Sequence, residues 1–192
     1  LGNGVFTDRH VGTDKTVQVD LMLQGGDAQN YRVSQNLLSE NIGRITQRES
    51  VRWVGQAEGQ WSDSMKWQDG ALPDRNNVAQ VLIPEGSEVT LDADLTGDVQ
   101  SAIANEGVLT VKSVNPLNLG NNFSGTGELN LSQSSPVTLS GVSTTTGVIN
   151  IGASALTAAT GQALGVGDLV SAGGQLTVSD GVALSALNVQ GP

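Results

Sequence analysis

The 192-residue sequence contains no cysteine and only one histidine, and aromatic side chains make up just 3% of it. A chain without cysteine is compatible with the cytosol, and equally with an exported bacterial protein that stays unfolded during translocation. The single histidine, His10, has no histidine or cysteine near it, whereas a zinc site needs three or four ligands. No Gly-x-Ser-x-Gly motif is present for which it could act as a base. We therefore predict that His10 lies in a surface turn, and that the chain has no catalytic residue, metal or cofactor.

Charge is scarce as well, because 15% of the residues are charged, against about 25% in an average domain. The net charge is −10, and no lysine or arginine follows Lys112. Nucleic acids and anionic membrane surfaces are bound through clusters of Lys and Arg, so neither is an expected partner. No apolar run reaches the roughly 20 residues of a membrane helix, so direct membrane insertion is not expected. The chain begins at Leu1 without a signal peptide or methionine, and we expect it to be a fragment of a longer protein.

Glycine is abundant, with 25 residues, and Ser, Thr, Asn, Leu and Val are frequent, which is typical of short strands joined by tight turns. Residues 1–50 hold most of the basic charge, residues 51–78 hold all three tryptophans, and residues 79–192 are repetitive. We predict a small partial β module at 1–50 and a Trp-rich junction or cap at 51–78. Residues 79–192 are predicted to form a parallel β-helix.

A 20-residue repeat is the strongest signal in the sequence. Segments in which apolar residues flank a Thr or Asn recur with this period, at Val89–Leu91, Leu109–Val111, Leu129–Leu131 and Ile149–Ile151. A second set of strands follows at Leu117–Leu119, Val137–Leu139 and Leu156–Ala158, after Pro116 and Pro136 in the first two cases. Alternation of this kind puts the apolar residues on one face of a strand.

This period favours an all-β fold, a right-handed parallel β-helix whose coils stack about 4.8 Å apart. A β-sandwich is the alternative, but it has no reason to repeat with so regular a period. The segment Gly174–Val178 resembles the first set of strands but follows Gly147 by a 27-residue step. We therefore predict that Leu176 and Val178 continue the inward rows, and that residues 161–173 form an inserted loop. In the N-terminal module we predict strands at 16–23 and 32–38 around a turn at 25–30.

Two stretches are similar to a known family. Residues 6–17, Leu23–Tyr31 and the closing Ile45–Thr46 resemble the second half of a YDG-type module, through the patterns F-x-D, V-G-x-x-K-x-V-x-V and L-x-G-x-D-A-x-N-Y. Such modules are common in filamentous-haemagglutinin-like adhesins, but the Tyr-Asp-Gly opening of the module is absent here. Residues 79–192 look like the β-helix of the same exoproteins. Half of the first module is therefore expected upstream of Leu1 or from another chain.

The resemblance implies a function. Proteins of this family are typically exported by two-partner secretion, through an outer-membrane secretion partner, and mediate adhesion or aggregation from the bacterial surface. We therefore expect a non-catalytic, secreted or surface-attached adhesin segment that serves as a rigid stalk or display surface. Its expected partner is a glycan or protein receptor on a host or bacterial surface.

The three tryptophans, Trp53, Trp61 and Trp67, allow two interpretations. Large rings can close the open end of a solenoid, which otherwise exposes its core and strand edges. Exposed rings can instead stack on sugars, which would make the chain a carbohydrate-binding module. Burial of the rings distinguishes the two interpretations.

The carboxylates bear on two further functions. Asp92, Asp94 and Asp98 are spaced like calcium ligands, but no bidentate acid closes the loop, so a solvated corner is the preferred interpretation. A tailspike-like depolymerase would need two acids facing a groove. Glu128 has only Val108 and Val148 at the equivalent positions of neighbouring repeats, and this argues against an enzyme.

Overall fold

The structure is a computed structural model that describes residues 3–74, 76–92, 101–184 and 188–191. The chain divides into two compact units, Leu1–Gln47 and Arg48–Pro192, which we call the N-terminal unit and the solenoid. Both units are built from β-strands, and their helical residues form three short 3-10 turns at Ala28–Asn30, Ser64–Lys66 and Gln68–Gly70. The fold is therefore all-β, as the composition predicts.

The N-terminal unit is a three-stranded antiparallel sheet in the order β1-β2-β3, with strands Gly4–Phe6, Gly12–Asp20 and Leu37–Ile45. The connection at 25–30 holds a 3-10 turn, and Gly25 adopts a φ of 116°, which favours glycine. The strand predicted at 32–38 was misplaced, because it begins at Leu37, where the apolar residues resume. None of the residues described in this unit is buried.

The solenoid contains fifteen described strands, which run in chain order as follows: β4 Arg48–Arg52, β5 Glu58–Gln60, β6 Val78–Ile83, β7 Glu88–Leu91, β8 Ala102–Asn105, β9 Val108–Val111, β10 Leu117–Leu119, β11 Phe123–Ser124, β12 Glu128–Asn130, β13 Val137–Leu139, β14 Ile149–Gly152, β15 Ala155–Ala158, β16 Asp168–Ser171, β17 Gln175–Val178 and β18 Asn188–Gln190.

These strands form three parallel sheets around a shared interior. The long sheet has seven strands in the order β5-β7-β9-β12-β14-β16-β18. The first short sheet has the order β4-β6-β8-β11, and the second short sheet has the order β10-β13-β15-β17. Each coil contributes to the sheets in turn, so strands that are adjacent in sequence belong to different sheets. This arrangement excludes the β-sandwich alternative.

The register follows the 20-residue period. Leu109 pairs with Leu129, Leu129 with Ile149, and Ile149 with Leu169, each partner lying one full repeat further along the chain. The second set of predicted strands pairs in the same way, because Leu117 is opposite Val137. The sequence repeat is therefore the coil of the solenoid.

The prediction for the last copy of the repeat was wrong. Leu176 pairs with Leu156 in the second short sheet, while β16 takes the next place in the long sheet. Residues 161–173 are therefore not an inserted loop, because Leu169 follows Ile149, and Leu176 follows Leu156, by one 20-residue repeat. The alternation in β16 is obscured by Val170, an apolar residue at the position that Asn150 occupies one coil earlier. Gly167, one repeat after Gly147, marks this strand in the sequence.

Parallel pairing begins at Arg48, well before residue 79. β4 pairs with β6 and β5 with β7, both with a 30-residue spacing, as in Arg48 opposite Val78 and Glu58 opposite Glu88. Residues 48–77 are thus a first coil of the solenoid, ten residues longer than the 20-residue repeat. The Trp-rich segment lies inside this coil, and the longer spacing hides it from a search for a 20-residue period.

The interior is a single core of apolar side chains that the three sheets share. Leu129, Leu131, Ile149 and Ile151 expose between 1% and 5% of their surface, which confirms the predicted inward face. Leu176 is only partly buried, and Val178 is 36% exposed, so the core thins out at β17. Each fully buried aliphatic side chain contributes about 1.5–3 kcal/mol by leaving water.

Candidate functional site

The three tryptophans form one buried cluster in the first coil. The Trp67 ring lies between the other two, with centroid distances of 5.0 Å to Trp53 and 4.8 Å to Trp61, and both pairs are edge-to-face. The indole nitrogen of Trp61 donates to the Pro73 carbonyl at 3.0 Å, and that of Trp67 donates to the Trp61 carbonyl at 2.8 Å. Edge-to-face pairs of this kind add about 0.5–1.5 kcal/mol beyond burial.

The cluster is part of the core and has no accessible ring face. Each ring exposes 1% of its surface or less, and all three belong to the same apolar core as the aliphatic rows. Two glycines make room for it, since a Cβ on Gly55 or Gly59 would lie 2.6 or 2.9 Å from the Trp53 ring. Sugar stacking by Trp53, Trp61 or Trp67 needs an exposed face, so this arrangement favours packing of the first coil.

The acidic residues near position 92 have a structural partner. The Asp92 carboxylate accepts hydrogen bonds from the Ser62 backbone N–H at 3.1 Å and from the Ser62 hydroxyl at 2.8 Å. Asp92 therefore ties the first coil to the second. Asp94 and Asp98 lie outside the described residues. Within the described ranges, no group of three or more His, Asp or Glu residues is placed to hold a metal ion.

His10 lies in the loop between β1 and β2 and is half-buried. Its backbone N–H donates to the Asp8 carboxylate at 2.8 Å, and Lys15 forms an ion pair with the same carboxylate. The hydrogen bond from Lys15 and the one from His10 hold the pKa of Asp8 below its usual value. These contacts organise the loop that holds His10.

The outer face of the long sheet carries polar side chains with valines among them. Glu128 lies opposite Val108 of the preceding coil, and Val148 occupies the equivalent position in the following coil, so Glu128 has apolar residues on both sides along its row. In the neighbouring row, the Asn130 side-chain oxygen accepts from the Ser132 N–H at 3.0 Å, and that of Asn150 accepts from the Gly152 N–H at 3.0 Å. These two asparagines thus stabilise the turns that follow their own strands.

A surface cleft of about 710 Å³ lies along the outer side of the first short sheet, at its corner with the long sheet. Its floor includes Leu82 and Ala104, which are neighbours in the register of β6 and β8, beside Arg52 of β4. Its wall includes Pro84 and Glu85, from the four-residue turn between β6 and β7. The next turn, between β8 and β9, has only two residues, so the longer turn stands beside a shorter one.

The cleft brings together charged groups of both signs. The Glu106 carboxylate accepts hydrogen bonds from the Thr126 hydroxyl at 2.6 Å and from the Thr126 backbone N–H at 3.1 Å, and these bonds lower the pKa of Glu106. Glu85 and Arg52 are exposed at the same surface. The two hydrogen bonds from Thr126 orient the Glu106 carboxylate as a hydrogen-bond acceptor at the cleft.

Sequence reasoning missed the cleft, because its residues come from four coils and the spacing between successive coils is not constant. A 30-residue spacing separates Arg52 from Leu82, and a 22-residue spacing separates Leu82 from Ala104. The one usable signal was the pair Glu106 and Thr126, whose spacing equals the 20-residue repeat.

Comparisons with known proteins add no family to this geometry. No protein-family model, curated protein or solved structure matches the chain significantly. Among the described residues, no helix has the length and apolar character needed to cross a membrane.

Proposed function

We propose that this chain is a non-catalytic segment of a large bacterial surface or secreted adhesin, in which the solenoid acts as a rigid spacer and display surface. The observation that carries the proposal is the continuous parallel pairing of the long sheet. Seven strands follow one another in parallel from β5 to β18, over a core of stacked aliphatic side chains. Six steps of about 4.8 Å give this sheet a length of about 29 Å along the coil axis.

Such a structure suits mechanical and display roles. Every coil is tied to the next by backbone hydrogen bonds, and each contributes to the same dry interior, so length is added without new loops or domains. The outer face of the long sheet carries Thr, Asn, Glu and Val side chains, which form rows along the coil axis. A receptor can bind to these rows. The partners proposed for the parent protein are a glycan or protein receptor on a host or bacterial surface and an outer-membrane secretion partner.

The surroundings of two carboxylates, Glu128 and Glu106, support the non-catalytic part of the proposal. Glu128 stands between valines in its row, and Glu106 is held ionised by Thr126. A polysaccharide depolymerase would need one carboxyl group whose pKa is raised, so that it can protonate the leaving oxygen. Release of reducing ends from a panel of bacterial and host polysaccharides by the purified chain would overturn this part.

Surface display tests the adhesin role. Bacteria that display the chain through an outer-membrane anchor should aggregate or adhere to epithelial cells more than bacteria that display the anchor alone. Ile149→Ala, which removes a core side chain, should abolish the effect, whereas Asn150→Ser, on the outer face, should preserve the folded stalk. Equal aggregation and adherence with and without the folded chain would contradict the proposal.

A further inference from the structure

We propose that the cleft formed by Arg52, Leu82, Pro84, Glu85, Glu106 and Thr126 binds a neutral, hydroxyl-rich saccharide. This inference rests on the proposed function and deepens it, because it names the class of receptor and the site that binds it. The cleft volume of about 710 Å³ falls within the range of about 300–1,000 Å³ that is typical of small-molecule sites.

The polar groups of the cleft match the chemistry of sugar hydroxyls. A hydroxyl both donates and accepts hydrogen bonds, so it can bind a guanidinium and a carboxylate at the same time. Arg52 supplies planar donors and forms no ion pair with any residue that the structure describes. Glu85 and Glu106 supply carboxylate acceptors, and hydrogen bonds to charged groups are about twice as strong as neutral ones.

Glu106 is already positioned for such a contact. Thr126, one coil further along, donates two hydrogen bonds to one carboxylate oxygen, Oε2. The second oxygen, Oε1, can still accept from a ligand. Fixing a carboxylate before binding reduces the conformational entropy that a ligand would otherwise have to remove. Thr126 is therefore a positioning residue for Glu106.

The apolar part of the cleft fits the C–H face of a sugar ring. Leu82, Pro84 and Ala104 are half-buried, so they present carbon atoms at the surface beside the charged groups. A surface of this kind can cover the ring carbons of a pyranose while the charged groups bind its hydroxyls. The mixture of an apolar floor and a few convergent polar groups is characteristic of small-ligand sites.

The charge balance of the cleft argues against an anionic ligand. One arginine faces two glutamates, and the chain as a whole has a net charge of −10. Sulfated, sialylated or phosphorylated ligands would be repelled by the two carboxylates, which outnumber the single arginine. A neutral saccharide meets both signs without repulsion, since it presents hydroxyl donors to Glu85 and Glu106 and hydroxyl acceptors to Arg52.

The test is binding of purified chain to an array of neutral oligosaccharides, built from hexoses and N-acetylhexosamines, with sulfated and sialylated forms beside them. The best neutral ligand is then titrated calorimetrically. We expect Arg52→Ala and Glu106→Gln to weaken its affinity at least tenfold. Glu128→Gln, on the outer face of the long sheet, is the matched control and should bind like the unmodified chain.

Variants of Thr126 distinguish a residue that positions Glu106 from one that contacts the ligand directly. Thr126→Val removes the hydroxyl that holds Glu106 and should weaken binding severalfold, whereas Thr126→Ser should restore it. Thermal unfolding of each variant verifies that the solenoid is intact. Failure to bind any neutral oligosaccharide at millimolar concentration, a preference for acidic glycans, or equal binding by the cleft variants would overturn the inference. Aggregation of bacteria that display the chain is measured in a separate experiment. A failure of saccharide binding would therefore overturn the cleft proposal without deciding the spacer proposal.

Discussion

The N-terminal unit and the solenoid use the same residue pattern with different results. In both, apolar and polar residues alternate along short strands, as in Val17–Val19 of β2 and Ile149–Ile151 of β14. Yet Val17 and Val19 are only half-buried, whereas Ile149 and Ile151 are 2% and 1% exposed. Alternation therefore selects which side chains share a face, but it does not provide the second surface that would cover them.

The solenoid provides that surface from its own chain. Its three sheets face a common interior, and each new coil covers the previous one. An inward side chain therefore has neighbours above and below it on its own sheet and others across the core on the other sheets. The three strands of the N-terminal unit form a single sheet, and none of its described residues is buried. A lone sheet of this size gains little from burial, because one face of every strand remains in water.

The largest loss of stability is expected when a core side chain of the solenoid is shortened. Ile149→Ala removes a side chain that is 2% exposed, and it should destabilise the solenoid by about 2–5 kcal/mol through lost transfer free energy and the cavity left behind. Val148→Ala is the matched control, because Val148 is the preceding residue and points outward with 37% of its surface exposed. Urea denaturation of both variants measures the two free energies of unfolding. Similar values for Ile149→Ala and Val148→Ala would mean that the inward face has been misidentified.

Much of the solenoid could be predicted because its coils repeat in the sequence. The residues that face inward in β9, β12 and β14 recur once per repeat, and each coil independently indicates the same register. The prediction failed where the repeat changes. β16 places Val170 outward, and the similar segment Gly174–Val178 was assigned to the long sheet although it belongs to the second short sheet.

The first coil and the cleft were harder to predict for a physical reason. Hydrogen bonding between coils constrains the strands but not the length of the connections between them. The long connection between β5 and β6 therefore accommodates the buried Trp67 without disturbing the register of β4 and β5. Once the spacing changes, residues that meet across coils, such as Arg52 and Leu82, have no common period in the sequence. In the N-terminal unit, β3 was misplaced because no repeat indicates its register.

A smaller effect should follow from crowding the backbone where coils approach closely. Gly147 follows Gly127 by one coil, and a Cβ at Gly147 would overlap the carbonyl oxygen of Gly127. Gly147→Ala must therefore push two coils apart, and we expect a loss of about 1–3 kcal/mol, typical of overpacking. Gly120→Ala is the matched control, since a Cβ there would meet only the Ser140 hydroxyl at an ordinary 3.6 Å.

Gly120→Ala should leave the free energy of unfolding unchanged or raise it slightly, because alanine reduces the conformational freedom of the unfolded chain. Thermal unfolding of the two variants compares them directly. Equal stability of Gly147→Ala and Gly120→Ala would mean that neighbouring coils can move apart at little cost. The close contact between Gly127 and Gly147 would then not determine the distance between coils.

The smallest effect is expected in the N-terminal unit. The Phe6 ring lies over Gly43 and against Val17, but 43% of Phe6 remains exposed. Since full burial of such a side chain contributes about 1.5–3 kcal/mol, Phe6→Ala should cost only about 1 kcal/mol. Hydrogen exchange of the amides in β1, β2 and β3 measures the loss locally, and Val5→Ala, at 63% exposure, is the control with the smaller change. A cost for Phe6→Ala equal to that of Ile149→Ala would require a covered core around Phe6. Three strands cannot supply one, so that result would show that further strands pack on this sheet in solution.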